Sequence, residues 1–233
     1  MKNKKRNIIL IIALISISFL IYNKFHDDKI IYLALGDEYV LGKTPFEKYN
    51  LSYSDYFSTY LKSINKLKEY DKSFSKNDYR VVDLINDIKN NVKNDNNESL
   101  NQKILKSDII TISIGNNDLL YKIENKKINK NTFDYIDSLF IDMNYLIEII
   151  RKISDCKIFI VGYYYNDMNE KLSDYIYMNY KSLEKYNNVY YVDIKSDDIR
   201  YIPNKNNNYP TLEGYNNIYN RILGVINEKK IDL

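Results

Sequence analysis

The stretch Ile31-Tyr32-Leu33-Ala34-Leu35-Gly36-Asp37-Glu38-Tyr39 runs apolar up to a glycine and then places two carboxylates in succession. A short apolar run bounded by Gly and Asp predicts a buried strand, and this one ends by delivering Glu38 to the turn. Similar runs at Ile30 to Leu35, Ile109 to Ile114, Lys157 to Val161 and Val189 to Ile194 predict parallel strands. Longer stretches of helical period lie between them. From Tyr53 to Leu67, one stripe holds Tyr53, Tyr56, Phe57, Tyr60, Leu61 and Ile64. From Phe133 to Ile153 a second repeats Ile136, Leu139, Phe140, Met143, Leu146, Ile147 and Ile150. Leu172 to Tyr186 and Thr211 to Ile226 continue the alternation. Alternating strand and helix predicts a three-layer α/β/α sandwich around a mostly parallel sheet, with the working crevice beyond the carboxyl ends of its strands.

Four blocks in series resemble those of the SGNH (GDSL-type) hydrolases. The first is Gly36-Asp37-Glu38, where that family has Gly-Asp-Ser and the serine attacks an ester or acetyl carbonyl. The third is Gly115-Asn116-Asn117-Asp118, whose asparagine donates to the oxyanion. The fifth is Asn206-Asn207-Asn208-Tyr209-Pro210, with Gly214-Tyr215 following, where the family has Asp-x-x-His-Pro. The second and weakest is Asn77-Asp78-Tyr79-Arg80-Val81-Val82-Asp83-Leu84, which sets Asp78 at an oxyanion glycine. The resemblance covers residues 30–228. It implies a flavodoxin-like five-stranded sheet, with Asp71 to Phe74 as a degenerate second strand. It also implies a pocket formed by the family-equivalent positions Glu38, Asp78, Asn117, Asn206 and Tyr209. Asp37, Glu38, Asn117 and Tyr209 are its candidate ligand-binding residues.

The substitutions bear on chemistry directly. Serine hydrolysis needs an oxygen nucleophile, a base active near neutral pH, and donors aimed at the developing oxyanion. Glu38 carries no proton for a base to remove. An unperturbed phenol such as that of Tyr209 titrates near pH ~10, and the single histidine, His26, precedes the first strand. Aspartate in place of the oxyanion glycine is expected to add bulk and negative charge beside the anion. Two like charges ~4 Å apart repel by about 4 kcal/mol at an effective dielectric of ~20, more than most of the roughly 2.7–4 kcal/mol that one oxyanion donor supplies. The expectation is a hydrolase-like domain without catalysis. The alternative is an active esterase or acetylhydrolase with substituted groups.

Other readings use the same side chains. Asp37, Glu38, Asp78 and Asp118 are candidate oxygen ligands for a divalent cation, against which Asp37 and Asp118 are expected to cap the turns after their strands. Glu38 with Asp78 is a candidate acid and base pair for glycoside hydrolysis. Asn204, Asn206, Asn207 and Asn208 are candidate amide ligands for a polyol, although a polar loop before Pro210 is the better explanation. No metal or cofactor is expected.

Upstream, Lys2, Lys4, Lys5 and Arg6 precede an apolar stretch over residues 8–22 interrupted only by Ser16 and Ser18. That pattern predicts a basic cytoplasmic tail (1–7), an uncleaved membrane-spanning signal anchor (8–22), a short linker (23–29) and an extracytoplasmic domain (30–233). A cleaved signal, or a buried first helix of a soluble protein, are the alternatives. The globular part has the length of one domain with a full core. Cys156 is the only cysteine, which excludes an intramolecular disulfide and a thiolate metal cluster. Lys and Arg total 34 against 31 Asp and Glu, a net of +3, so the strong basic excess of a nucleic-acid binder is missing. Lys126, Lys127 and Lys130 form a local basic cluster, read as a solvated loop weakly drawn to anionic lipid. The 25 tyrosines, with abundant Asn, Lys and Ile, follow from AT-rich codon usage. The expected partners are the membrane and an envelope glycan, acyl ligand or protein at a bacterial cell surface.

Overall fold

Five strands realise the apolar runs: β1 (Ile30–Gly36), β2 (Leu67–Asp71), β3 (Ile109–Ser113), β4 (Lys157–Val161) and β5 (Val189–Val192). The computed structural model describes residues 28–122, 130–164, 170–195, 198, 200–204 and 207–233. All neighbouring strands pair in parallel, in the order β2-β1-β3-β4-β5. This is the flavodoxin-like order, in which the chain reverses its winding direction at the boundary between β1 and β3.

Side chains alternate between the two faces of the sheet, as the twofold period of a strand requires. Leu33, Leu35, Ile110, Ile112, Ile158 and Ile160 enter one core. Tyr32, Ala34, Ile109, Phe159 and Val161 enter the other. The first core is closed by α3 (Val81–Lys89), α4 (Leu100–Lys106), α6 (Lys130–Arg151) and α7 (Glu170–Ser182). The second is closed by α1 (Glu38–Leu41), α2 (Tyr53–Ser63) and α8 (Leu212–Glu228). A short helix, α5 (Asn116–Lys122), follows β3. The α6 stripe is borne out in full, since Ile136, Leu139, Phe140, Met143, Leu146, Ile147 and Ile150 are all buried. Six tyrosines, Tyr32, Tyr39, Tyr53, Tyr164, Tyr180 and Tyr215, are fully buried core residues.

Two boundaries differ from the sequence expectation. Helix α2 ends at Ser63 because Asn65 takes a left-handed conformation (φ 58°). The Lys66 N–H then returns to the Leu61 carbonyl at 2.8 Å, and Ile64 is left 41% exposed outside the buried stripe. The second strand is Leu67–Asp71, not Asp71 to Phe74. It is an edge strand whose residues are half-buried or exposed, so it carries no continuous apolar run to read. Asp71 closes it by accepting the Ser73 N–H at 2.7 Å. Lys103 pins this edge from α4 through Glu69 at 2.6 Å and Asp71 at 3.1 Å, and also meets Glu98 of the loop before α4 at 2.8 Å, the charged dressing that discourages strand addition.

The expected anchor at 8–22, together with Lys126 and Lys127, lies outside the described residues. Among the described residues no helix is long and apolar enough to cross a membrane.

Candidate functional site

The site forms where β1 and β3 end side by side. Gly36 pairs with Ser113 and has φ 148°; a Cβ added there would lie 1.8 Å from the Ser113 carbonyl oxygen. Only glycine permits the approach that brings the turn after β1 against the end of β3. Asp37 then caps α1, its Oδ1 accepting the Tyr39 N–H at 3.1 Å, while Tyr163 donates its hydroxyl to Oδ2 at 2.7 Å. Burial, followed by the charge of neighbouring Glu38, pushes the Asp37 carboxyl well above the usual carboxylate range. Asp37, a candidate ligand-binding residue in the sequence, is fully buried with both its oxygens held from within the chain.

Glu38, only 1% exposed, directs its carboxylate between two donors. Oε1 accepts the backbone N–H of Asp78 at 2.9 Å, and Oε2 accepts Asn117 Nδ2 at 2.9 Å. The Asn117 amide also reaches the Tyr79 carbonyl at 3.3 Å, which fixes its orientation. Each oxygen of the one carboxylate thus has its own donor, both at 2.9 Å, within the roughly 2.7–3.1 Å range at which oxyanion-hole donors hold charge.

The Asp78 carboxylate, expected beside the anion, belongs to an exposed residue that contributes its N–H to the site instead. Its φ of 53° is left-handed, a conformation usually left to glycine. Among non-glycine residues, Asp and Asn tolerate that region best. The anticipated repulsion between Asp78 and Glu38 is therefore replaced by an attractive N–H contact.

Asp118, expected to cap the turn after β3, is buried within α5, and its Oδ2 accepts the Val81 N–H at 3.1 Å, tying α5 to the start of α3. Burial raises its carboxyl above the ordinary value. With Asp37 and Asp118 so engaged, the divalent-cation arrangement does not form, and among the described residues no group of three or more potential ligands is suited to a metal.

Tyr209 is half-buried, with the Lys43 ammonium 4.6 Å from its ring centre. Burial and then the Glu38 charge push its phenol up to about 12, so it holds its proton at neutral pH and cannot serve as a base. Asn206 lies outside the described residues, and Asn208 gives its carbonyl to the Tyr39 hydroxyl. Two contributors went unnoticed in the sequence. Tyr163 follows β4 and orients Asp37, a position that strand-end logic flags. Lys43, which stands over Tyr209 while Tyr215 donates to its carbonyl at 2.6 Å, carries no sequence signal.

No protein-family model matches this sequence, and no curated protein matches it. Solved structures do resemble it. A lipase from a goat rumen metagenome superposes with a TM-score of 0.66 at 17% identity, over 83% of this chain and 96% of that one. An acetylxylan esterase from Geobacillus stearothermophilus gives 0.61 at 16%, over 84% and 93%. An extracellular lipase from Streptomyces rimosus gives 0.58 at 14%, over 83% and 98%. At these identities the likeness establishes the fold: a parallel five-stranded sheet with flanking helices of the kind found in these lipases and esterases.

Proposed function

We propose that this chain is a degenerate SGNH hydrolase-like module of the bacterial cell envelope, anchored to the membrane by residues 8–22, that binds a ligand or partner without hydrolysing it. The observation that carries this reading is the Glu38 carboxylate seated between the Asp78 N–H and Asn117 Nδ2. A hydrolase must leave those donors free for the oxyanion of a tetrahedral intermediate. Here the residue at the nucleophile position supplies a resident anion, and an incoming acyl oxygen meets donors already committed to a full negative charge.

The proton-transfer side agrees. Tyr209 stays protonated, its neighbour Lys43 is a cation, and neither takes a proton from a nucleophile. Burial lowers the Lys43 ammonium, but the contacts with Glu47 and Tyr209 outweigh it and hold the group charged. The test is turnover of p-nitrophenyl acetate and of an acetylated xylo-oligosaccharide by the full-length protein. Rates at the uncatalysed level are expected; turnover that disappears in Glu38→Ala would establish the competing esterase reading.

A further inference from the structure

We propose that the groove between α7 and α8, beside β5, binds a short zwitterion, an α-amino acid or small peptide whose carboxylate meets Arg221 and whose ammonium meets Asp193. This site shares no residue with the one around Glu38. The two helices pack on opposite faces of the sheet, α7 in the first core and α8 in the second, and β5 is the last strand between them. A cavity of about 380 Å³ remains there, a size that suits a small molecule. Strand addition does not suit this edge. Glu184, in the short 3-10 turn Leu183–Lys185, accepts the Tyr191 N–H at 3.0 Å, and the Val189 N–H bonds to the Tyr186 carbonyl at 3.3 Å. The occupant is therefore compact.

Charge selects its chemistry. Six ionised side chains line the cavity, and four of them pair: Lys181 with Glu184 at 2.8 Å and Lys229 with Glu228 at 3.7 Å. Among the described residues, the Arg221 guanidinium has no ion pair or hydrogen bond. Asp193 gives Oδ1 to the Lys195 N–H at 3.0 Å and leaves Oδ2 open. Arg221 and Asp193 line the same cavity yet do not pair with each other. A guanidinium and a carboxylate held apart on one wall complement a molecule that carries both charges, and the guanidinium fork takes a carboxylate in two parallel hydrogen bonds. A simple anion would satisfy Arg221 alone and stand among Glu184, Asp193 and Glu228. Tyr177, edge-on to Tyr191 at 5.7 Å, supplies an apolar wall. Gly224 points the same way. It lies inside α8, where glycine costs stability relative to alanine, and no neighbour requires it, since an added Cβ would meet nothing within 4 Å. Its bare backbone leaves the groove one methyl wider.

The test is titration of the full-length chain with alanine, dialanine and trialanine, followed by nuclear magnetic resonance. Saturable shifts at the amides of Tyr177, Asp193 and Arg221 are expected with at least one of these probes. N-acetylation or C-terminal amidation of that probe should weaken binding by about tenfold or more, and so should Arg221→Gln and Asp193→Asn. Gly224→Ala, which narrows the groove, should weaken binding while the protein stays folded. Blocked probes that bind as tightly as the free ones, or undiminished binding in Arg221→Gln, overturn the zwitterion. An absence of shifts with all the probes overturns the site.

Discussion

The Asn117 amide and the Glu38 carboxylate, 2.9 Å apart, join the turn after β3 to the turn after β1. They meet at the boundary where the winding of the sheet reverses, the place at which folds of this kind gather their ligands. A second donor, the Asp78 N–H, arrives from the loop before α3. Three segments far apart in sequence thus converge on one carboxylate, which belongs to the protein itself.

Replacing Glu38 by glutamine keeps the shape and removes the charge. One amide oxygen can satisfy only one of the two donors, and the other then faces an NH2 group. Glu38→Gln should lower stability by about 1–3 kcal/mol, measured as a shift in the urea midpoint with an unchanged slope. An unshifted midpoint would mean that the two contacts contribute nothing in solution.

Asp78 separates backbone from side chain. Because its φ is 53° and its side chain is exposed, Asp78→Gly should leave stability within about 0.5 kcal/mol of the parent. Asp78→Val should cost on the order of 1–3 kcal/mol, since a β-branched residue strains there. Equal effects of the two substitutions in thermal unfolding would contradict this.

Two glycines should respond in opposite senses. Gly36→Ala drives a Cβ to within 1.8 Å of the Ser113 carbonyl oxygen and should prevent stable folding. Gly224 lies inside α8, where an added Cβ meets nothing within 4 Å, so Gly224→Ala should stabilise by about 0.5–1 kcal/mol. Far-UV circular dichroism and urea titration of both variants check the pair.

Asp37 gives a pH dependence whose sign follows from linkage. Its carboxyl is raised in the folded state by burial and by Glu38, so the folded chain keeps a proton that the unfolded chain releases near pH ~3.9. Above that value the folded state binds more protons, and this contribution to stability falls as pH rises until the folded value is passed. Asp37→Asn removes the dependence. Relative to the parent, the variant should gain stability from pH 4 to pH 7; a constant difference across that window would count against a raised carboxyl.

Most of the architecture was legible in the sequence because it rests on burial. β1, β3 and β4 carry apolar runs closed by Gly, Ser or Val, and α6 repeats its apolar stripe without a gap. β2 was misplaced because an edge strand reading Leu-Lys-Glu-Tyr-Asp shows neither run nor alternation. In the site, the spacing of Gly-Asp-Glu and Asn-Asp located Glu38 and Asn117, but spacing says nothing about where a flexible carboxylate turns. Asp78 was read by its charge, whereas its conformation decides its role: the side chain leaves and the N–H stays. Tyr163 and Lys43 reach the site from β4 and from the loop after α1, and contacts of that range leave no local pattern.

If Glu38 stands where an exogenous anion would bind, its removal should free the Asp78 N–H and the Asn117 amide to hold one. Backbone and side-chain amide resonances of Asp78 and Asn117, followed by nuclear magnetic resonance during an acetate titration of the parent protein and of Glu38→Ala, test it most directly. Saturable shifts at both residues in Glu38→Ala, and none in the parent, are the expected result. A parent that binds acetate at these amides, or a Glu38→Ala protein that folds yet shows no response, would contradict it.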